Sequence, residues 1–417
     1  MLPVENLMEK SIDDYREFLD SSRNEALQDL AKQLNGIRVL HVNATPQGGG
    51  VAEILRSLVP LQRSLGIDSN WHVLEPDKKL FEITKKMHNA LQGGDEALTE
   101  EEKKYYIEKN KEIAKNIDAI EKDIILIHDP QPLASIEFLK KKTPSIIRIH
   151  IDSTKPNKDT EKFVIPFMQK YNKIVFTLTD FVPKTINKKK LTISPPAIDP
   201  LTAKNRYIDS DVCRTILIAA GINPDKPLVT QVSRFDKWKD PIGVIDAYYI
   251  AKNEIKDLQL LLMGVMEASD DPEAMEVFRA VEEKVQGDPD IFLIHKPEQL
   301  GEVSMGIYVN AIQRSSDVIL QKSLREGFGL TVTEAMWKEK PVVAGNVGGI
   351  KLQIKNGENG FLVNSPEEAA KRIVELINNK GLAESIGKKA KEIVRKNFLI
   401  TRLLEDELKI INEIRAK

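Results

Sequence analysis

Twelve short apolar runs recur along the 417-residue chain, separated by segments of helical period. The first half holds IRVLHVN (37–43), WHVLE (71–75), DIILIH (123–128), SIIRIHI (145–151), KIVFTL (173–178) and LTIS (191–194). The second holds PLVTQVS (227–233), LQLLLMG (258–264), IFLIH (291–295), DVILQ (317–321), PVVAG (341–345) and GFLV (360–363). Strands this continuously apolar are covered by helices on both faces, and their alternation with helices marks parallel α/β sheets. Two Rossmann-like, doubly wound domains follow, over 1–205 and 206–397, joined near the proline-rich SPPAIDPLTAK (194–204). The tail, about 398–417, is amphipathic and is expected to pack back on the first domain as a helix.

Charge narrows the function classes. The 61 basic and 63 acidic residues nearly cancel, for a formal charge of −2, which argues against a general nucleic-acid binder. The single cysteine, Cys213, excludes an internal disulfide and a thiolate metal site, and reads as a small buried apolar residue. The start of the chain is acidic and helical in period, without the basic n-region and apolar core of a signal peptide. No apolar run approaches the roughly 20 residues of a membrane span. The expectation is a cytoplasmic protein without membrane or nucleic-acid partners, and the wealth of Lys and Glu suggests a thermophile.

In open α/β sheets ligands sit beyond the carboxyl ends of the strands, so the loops after strands, and a cleft between two domains, are where function is sought. After the first run, NATPQGGG precedes a helix whose apolar residues start at Val51. The bare backbone at Gly49 and Gly50 can approach an anion. The dinucleotide fingerprint needs glycine where Glu53 stands, and no P-loop occurs. A ligand-free turn stays open as a reading. After the seventh run, Arg234 and Lys239 supply a planar fork and a point charge, which suit a diphosphate. After the tenth, the glycines of KSLREGFG expose amides before a helix starting near Leu330. Gly327, Phe328, Gly329, Leu330 and Thr331 form the candidate phosphate cradle, flanked by Glu326 and Glu334, eight positions apart. Glu334 is placed for ribose hydroxyls and Glu326 for the group beyond the phosphates. Either could equally be a helix-start or surface carboxylate. Asp209/Asp211 and Asp288/Asp290 form Asp-x-Asp pairs in turn-like contexts and read as caps. His41, His72 and His295 are scattered, with no metal cluster.

Glu326 and Glu334 match the E-x7-E motif of the retaining glycosyltransferases with the GT-B fold, and Arg234 and Lys239 match that family's Arg and Lys. GNVGG (345–349) and NGENGFLV (356–363) stand where the family has its GG and NG elements. More narrowly, KKMHNALQGG (85–94), HDPQP (128–132) and RIHIDST (148–154) resemble glycosyltransferring trehalose synthases and their trehalose phosphorylase relatives. That resemblance implies transfer from an NDP-glucose, UDP- or ADP-glucose, to glucose, giving trehalose reversibly with retention by front-face attack. It implies that Glu326, Arg234, Lys239 and His150 serve catalysis. It implies that His88, Asn89 and Gln92 meet the acceptor; Asp129 and Asp152 are candidates for acceptor hydroxyls and equally for loop caps. It implies no tightly bound cofactor, with magnesium as a companion of the nucleotide, and a homodimer. Phosphorolysis, another retaining NDP-sugar transfer, and NDP-sugar epimerisation remain alternatives. A non-enzymatic sugar sensor would not need the diphosphate cations.

Overall fold

Every strand of the two sheets pairs in parallel. The computed structural model describes residues 2–47, 49–264 and 272–415. Its first sheet comprises β1 (Arg38–Asn43), β2 (Asp68–Val73), β3 (Ile124–His128), β4 (Ser145–Ile149), β5 (Lys173–Phe176) and β6 (Leu191–Ile193), in the order β2-β1-β3-β4-β5-β6. Its second comprises β7 (Leu228–Val232), β8 (Gln259–Met263), β9 (Ile291–Ile294), β10 (Val318–Gln321), β11 (Val342–Gly345) and β12 (Phe361–Val363), in the order β12-β11-β10-β7-β8-β9. The order reverses between β1 and β3 in one sheet and between β7 and β10 in the other. These are the switch points where doubly wound sheets bind ligands.

All twelve apolar runs hold strands, with bounds that differ by two residues or fewer except at one start. β2 begins at Asp68 rather than near Trp71. It is the edge strand of its sheet, so the polar Asp68, Ser69 and Asn70 can pair with Arg38, Val39 and Leu40 without an apolar neighbour on both sides. The acidic N-terminus is helical only over a 3-10 turn, Ile12–Phe18, capped by Ser11, before the helix Ser21–Leu34. Ser365 caps the helix Pro366–Asn378 through the Glu368 amide, but the Glu368 carboxylate reaches back to the Asn364 amide, not to Ser365. Asp209 caps the helix Ser210–Ala219, and Lys252 Nζ lies 3.0 and 2.9 Å from the Asp288 and Asp290 carboxylates. Cys213 is buried.

The chain divides into two units, Met1–Ala197 with Leu399–Lys417, and Ile198–Phe398. The division falls at 197/198 rather than 205/206, because the segment after Ile198 is held by second-unit side chains. Asn310 Nδ2 donates to the Ala203 and Arg206 carbonyls at 2.9 and 2.8 Å, and Lys338 Nζ donates to Asn205 Oδ1 at 3.2 Å. In the first unit the C-terminal helix Ile400–Arg415 buries Leu403, Leu404, Leu408 and Ile411. It packs on Ser21–Leu34, where Arg23 Nε meets Glu405 at 2.9 Å.

Candidate functional site

In the second unit the switch point is bridged by two ion pairs, Lys239–Glu326 and Lys322–Asp240. Lys239, in the loop after β7, places Nζ 2.6 Å from Glu326 Oε2, in the loop after β10. Both side chains are largely out of solvent, 16% and 11% exposed, so the pair is screened less than a surface one. Ser323 Oγ donates to the same carboxylate oxygen at 3.2 Å. The framework is local. Asp236 accepts from the Trp238 and Lys239 amides, at 2.9 and 3.2 Å, and so winds the turn that carries Lys239. Asp240, with φ 49°, caps the helix that Pro241 opens, and its carboxylate also binds the Lys322 ammonium. A β-carbon on Gly243 would lie 2.4 Å from that carboxylate and 2.7 Å from Lys322 Nζ, so a larger residue would displace this ion pair.

The remaining predicted groups of this unit surround the pair. Arg234 Nη2 contacts Asp236 at 3.0 Å with its side chain 74% exposed, so one nitrogen of its fork is tied to the Lys239 turn while the side chain stays largely in solvent. Gly329 adopts φ 87° and starts the helix Leu330–Trp337. The first-turn amides of Leu330 and Thr331 have no carbonyl four residues back within that helix. Gln353 holds the turn from behind, donating to the Phe328 carbonyl at 2.6 Å. Gly349 must be glycine for the turn to close, since its β-carbon would meet the Gly327 carbonyl oxygen at 2.6 Å. Phe328 is buried against Phe398, with ring centroids 5.4 Å apart. The Thr331 hydroxyl donates to Gln321 at 3.2 Å. Glu334 is 1% exposed; Lys204 Nζ lies 3.6 Å from its carboxylate, and Lys338 Nζ donates to its carbonyl at 3.1 Å. Burial pushes the Lys338 ammonium down, against the opposing pull of Glu334.

In the first unit the loops after β3 and β4 meet. Asp129, at φ 63°, accepts from the His150 amide at 2.8 Å and donates its own amide to the Arg148 carbonyl at 2.9 Å. Tyr106 pins this loop through the Pro130 carbonyl at 2.6 Å. Asp152 accepts from the Thr154 amide and hydroxyl at 3.1 and 2.6 Å, as a loop cap. His88 and Asn89 lie on the last turn of Lys78–Leu91, which Gln92 caps. The Asn157 amide donates to the Ala90 carbonyl at 2.8 Å and joins this turn to the segment after Asp152. Gly49 and Gly50 are exposed at the start of the helix Gly50–Ser64; Gly48 lies outside the described residues.

His72 and His295 lie apart, at the Leu2 carbonyl and on Phe278, but His41 belongs to a group. His41 of β1, His128 at the end of β3 and His150 just after β4 stack across adjacent strands, with ring centroids 5.5 and 5.6 Å apart. Loss of hydration pushes all three imidazoles below their ordinary range, His150 to about 3, aided there by the Arg148 charge. Burial raises the Asp129 carboxyl to about 7.

These shifts oppose one another in the stability of the fold. Below 6.5 the unfolded chain takes protons that the folded histidines refuse, so stability falls as pH drops from 6.5 towards 3. The raised Asp129 contributes stability that is full below 3.8 and lost as pH rises to about 7. Three histidines outweigh one carboxyl. The thermal midpoint is therefore expected to fall between about pH 7 and about pH 5, and more steeply in Asp129→Asn. A midpoint that holds or rises on acidification contradicts this balance.

Among the described residues, no three or more His, Cys, Asp or Glu are grouped to hold a metal ion, and no helix is long and apolar enough to cross a membrane.

Comparison with known proteins places this architecture. A trehalose-6-phosphate synthase structure superposes with a TM-score of 0.73 over 91% of this chain and 99% of its own, at 12% identity. The sucrose-phosphate synthase of Thermosynechococcus elongatus does so with 0.69 over 91% and 99%, at 18%. At that identity they show the fold alone, which is that of the GT-B glycosyltransferases. The family model "Glycosyl transferases group 1" matches residues 214–393, and "Trehalose synthase, N-terminal domain" matches 41–183. Curated proteins named trehalose synthase, from Thermococcus litoralis and Pyrococcus furiosus, are each 47% identical over 97% of both chains. The chain belongs to the trehalose synthase family.

Proposed function

We propose that the protein makes trehalose from an NDP-glucose, UDP- or ADP-glucose, and free glucose, reversibly and with retention at the donor carbon. The observation that carries the reading is the Lys239–Glu326 pair at the second unit's switch point, beside the Gly329 turn. An ammonium has three donors and a carboxylate two oxygens. One contact between them leaves Lys239 donors for a diphosphate and the second Glu326 oxygen for a sugar hydroxyl. Arg234 and the first-turn amides of Leu330 and Thr331 complete the phosphate side, and Glu334 takes the ribose. In the first unit His150, Asp129 and Asp152 take sugar hydroxyls, with His88, Asn89 and Gln92 on the acceptor side.

In the proposed transfer the acceptor hydroxyl attacks the donor's anomeric carbon on the face the nucleotide leaves. The carbon–oxygen bond to phosphate breaks, a glycosidic bond forms, and the acceptor proton passes to the departing phosphate oxygen. Negative charge grows on the leaving diphosphate, where Arg234, Lys239 and the amides stabilise it. Magnesium, in this reading, arrives with the nucleotide. A cytoplasmic enzyme, built as a homodimer, fits such soluble substrates.

Calorimetric titration with UDP and ADP tests the diphosphate role. Saturable binding that weakens at least about tenfold in Lys239→Ala, the scale of a lost charge-assisted contact, is expected. Absence of nucleotide binding, or unchanged affinity in the variant, overturns it. The second reading, phosphorolysis, is favoured by the trehalose phosphorylase of Pleurotus pulmonarius, 29% identical over 84% of this chain but only 54% of its own.

A further inference from the structure

The three stacked histidines form one hydrogen-bonded chain, and its direction follows from chemistry. Glu407, buried on the C-terminal helix, is a carboxylate and can only accept. Gln62 must therefore turn its amide nitrogen towards Glu407, at 2.8 Å. That leaves the Gln62 carbonyl oxygen facing His41 Nε2 at 3.0 Å and Ser69 Oγ at 2.6 Å. Both must donate to it, so the proton of His41 sits on Nε2. A neutral ring carries one proton. His41 Nδ1 is thus an acceptor, and it faces His128 Nε2 at 3.2 Å, which must hold the His128 proton. His128 Nδ1 is then an acceptor in turn, facing His150 Nε2 at 3.3 Å.

The rings stay neutral because His41 and His128 are fully buried and Arg148 stands close by. Arg148 Nη2 lies 3.9 Å from the second Glu407 oxygen, so the fixed end of the chain is an ion pair. The other end, His150, is half-buried and lies beside Asp129.

We propose that His41 and His128 are positioning residues which, anchored by Gln62 and Glu407, lock His150 as its Nε2–H tautomer and leave Nδ1 as a lone pair for a hydroxyl of the bound sugar. This rests on the reading that His150 meets the sugar. A histidine free to change tautomer would present a donor there in part of the molecules, and a hydroxyl would find its acceptor missing.

The test uses the whole protein with 15N-labelled histidine; the chain has only 6 histidines to assign. Long-range proton–nitrogen spectra are recorded without substrate. His41, His128 and His150 are expected to be protonated at Nε2 and bare at Nδ1. In His41→Phe, which removes the acceptor for His128, His150 should shift to a mixture containing Nδ1–H, and kcat/KM for trehalose formation should fall about tenfold, the lower end of what orienting partners control. His41→Gln, whose amide oxygen can accept from His128, should restore both. A His150 protonated at Nδ1 in the unsubstituted protein overturns the inference, whether or not the variants fold. So does a His41→Phe protein with unchanged tautomer and kcat/KM. The expected spectrum in a protein that makes no trehalose would overturn the proposed reaction and leave the tautomer lock standing. The wrong tautomer in an active trehalose producer would overturn the lock alone.

Discussion

Glu326→Ala is expected to lower the rate of glycosyl transfer at least about a hundredfold, the scale of losing one preorganised electrostatic partner in a catalytic site. Its carboxylate ties the loop after β10 to the loop after β7 by charge, through Lys239 at 2.6 Å, beside the Lys322–Asp240 pair that joins the same loops. Removing it takes away the proposed sugar acceptor and releases Lys239 from its place. Glu326→Gln separates the two effects. An amide can still accept from Lys239 and from Ser323, so positioning persists while the negative charge is gone. Single-turnover rates of both variants decide the matter, and near-normal turnover in Glu326→Ala would sink the site assignment.

Arg148→Leu is expected to cost the first unit about 3–5 kcal/mol of stability, because it strands a buried charge. Arg148 and Glu407 expose 4% and 2% of their side chains, and their charged atoms lie 3.9 Å apart. Arg148 also donates to Ser194 Oγ at 3.2 Å, which donates to Asp406 at 2.9 Å. Asp406 is held by Arg402 at 2.6 Å, and Arg402 reaches the Pro195 and Pro196 carbonyls at 2.6 and 3.0 Å. This network fastens the C-terminal helix to the sheet. Glu407 would be left buried, with Gln62 donating at 2.8 Å and His41 Nε2 lying 3.7 Å away. Denaturant unfolding of the variant should show an earlier transition. A midpoint within error of the unsubstituted protein would mean that the pair contributes nothing net. Arg148→Leu with Glu407→Leu should recover much of the loss, since a well-packed apolar pair often matches a buried ion pair.

Much of this architecture was legible because fully buried parallel strands are continuous apolar runs. The run fails at the polar start of edge strand β2, Asp68 to Asn70, where pairing to β1 and not apolar character makes the strand. Glu326, Lys239 and the Gly329 turn were legible as loop residues after strands. Their pairing was not, because β7 and β10 are neighbours only through the sheet order, which local periodicity does not encode. The histidines show the same gap. Each ends or nearly ends an apolar run, in RVLHVN, IILIH and IIRIH, and that repetition was the available signal. Only the order β1-β3-β4 turns three isolated histidines into a chain. Supporting residues such as Asp236, Asp240, Lys322 and Gln353 carry no motif of their own. They act by capping turns and binding backbone, and any surface loop has similar residues.

The most direct test of the proposed reaction is a product assay. The protein is mixed with UDP-glucose or ADP-glucose and free glucose, nucleotide release is followed, and the sugar product is identified. The account predicts trehalose, α-linked at both anomeric carbons, in a one-to-one ratio with released nucleoside diphosphate. Nucleotide release only with another acceptor, or trehalose turnover only with inorganic phosphate, would contradict it.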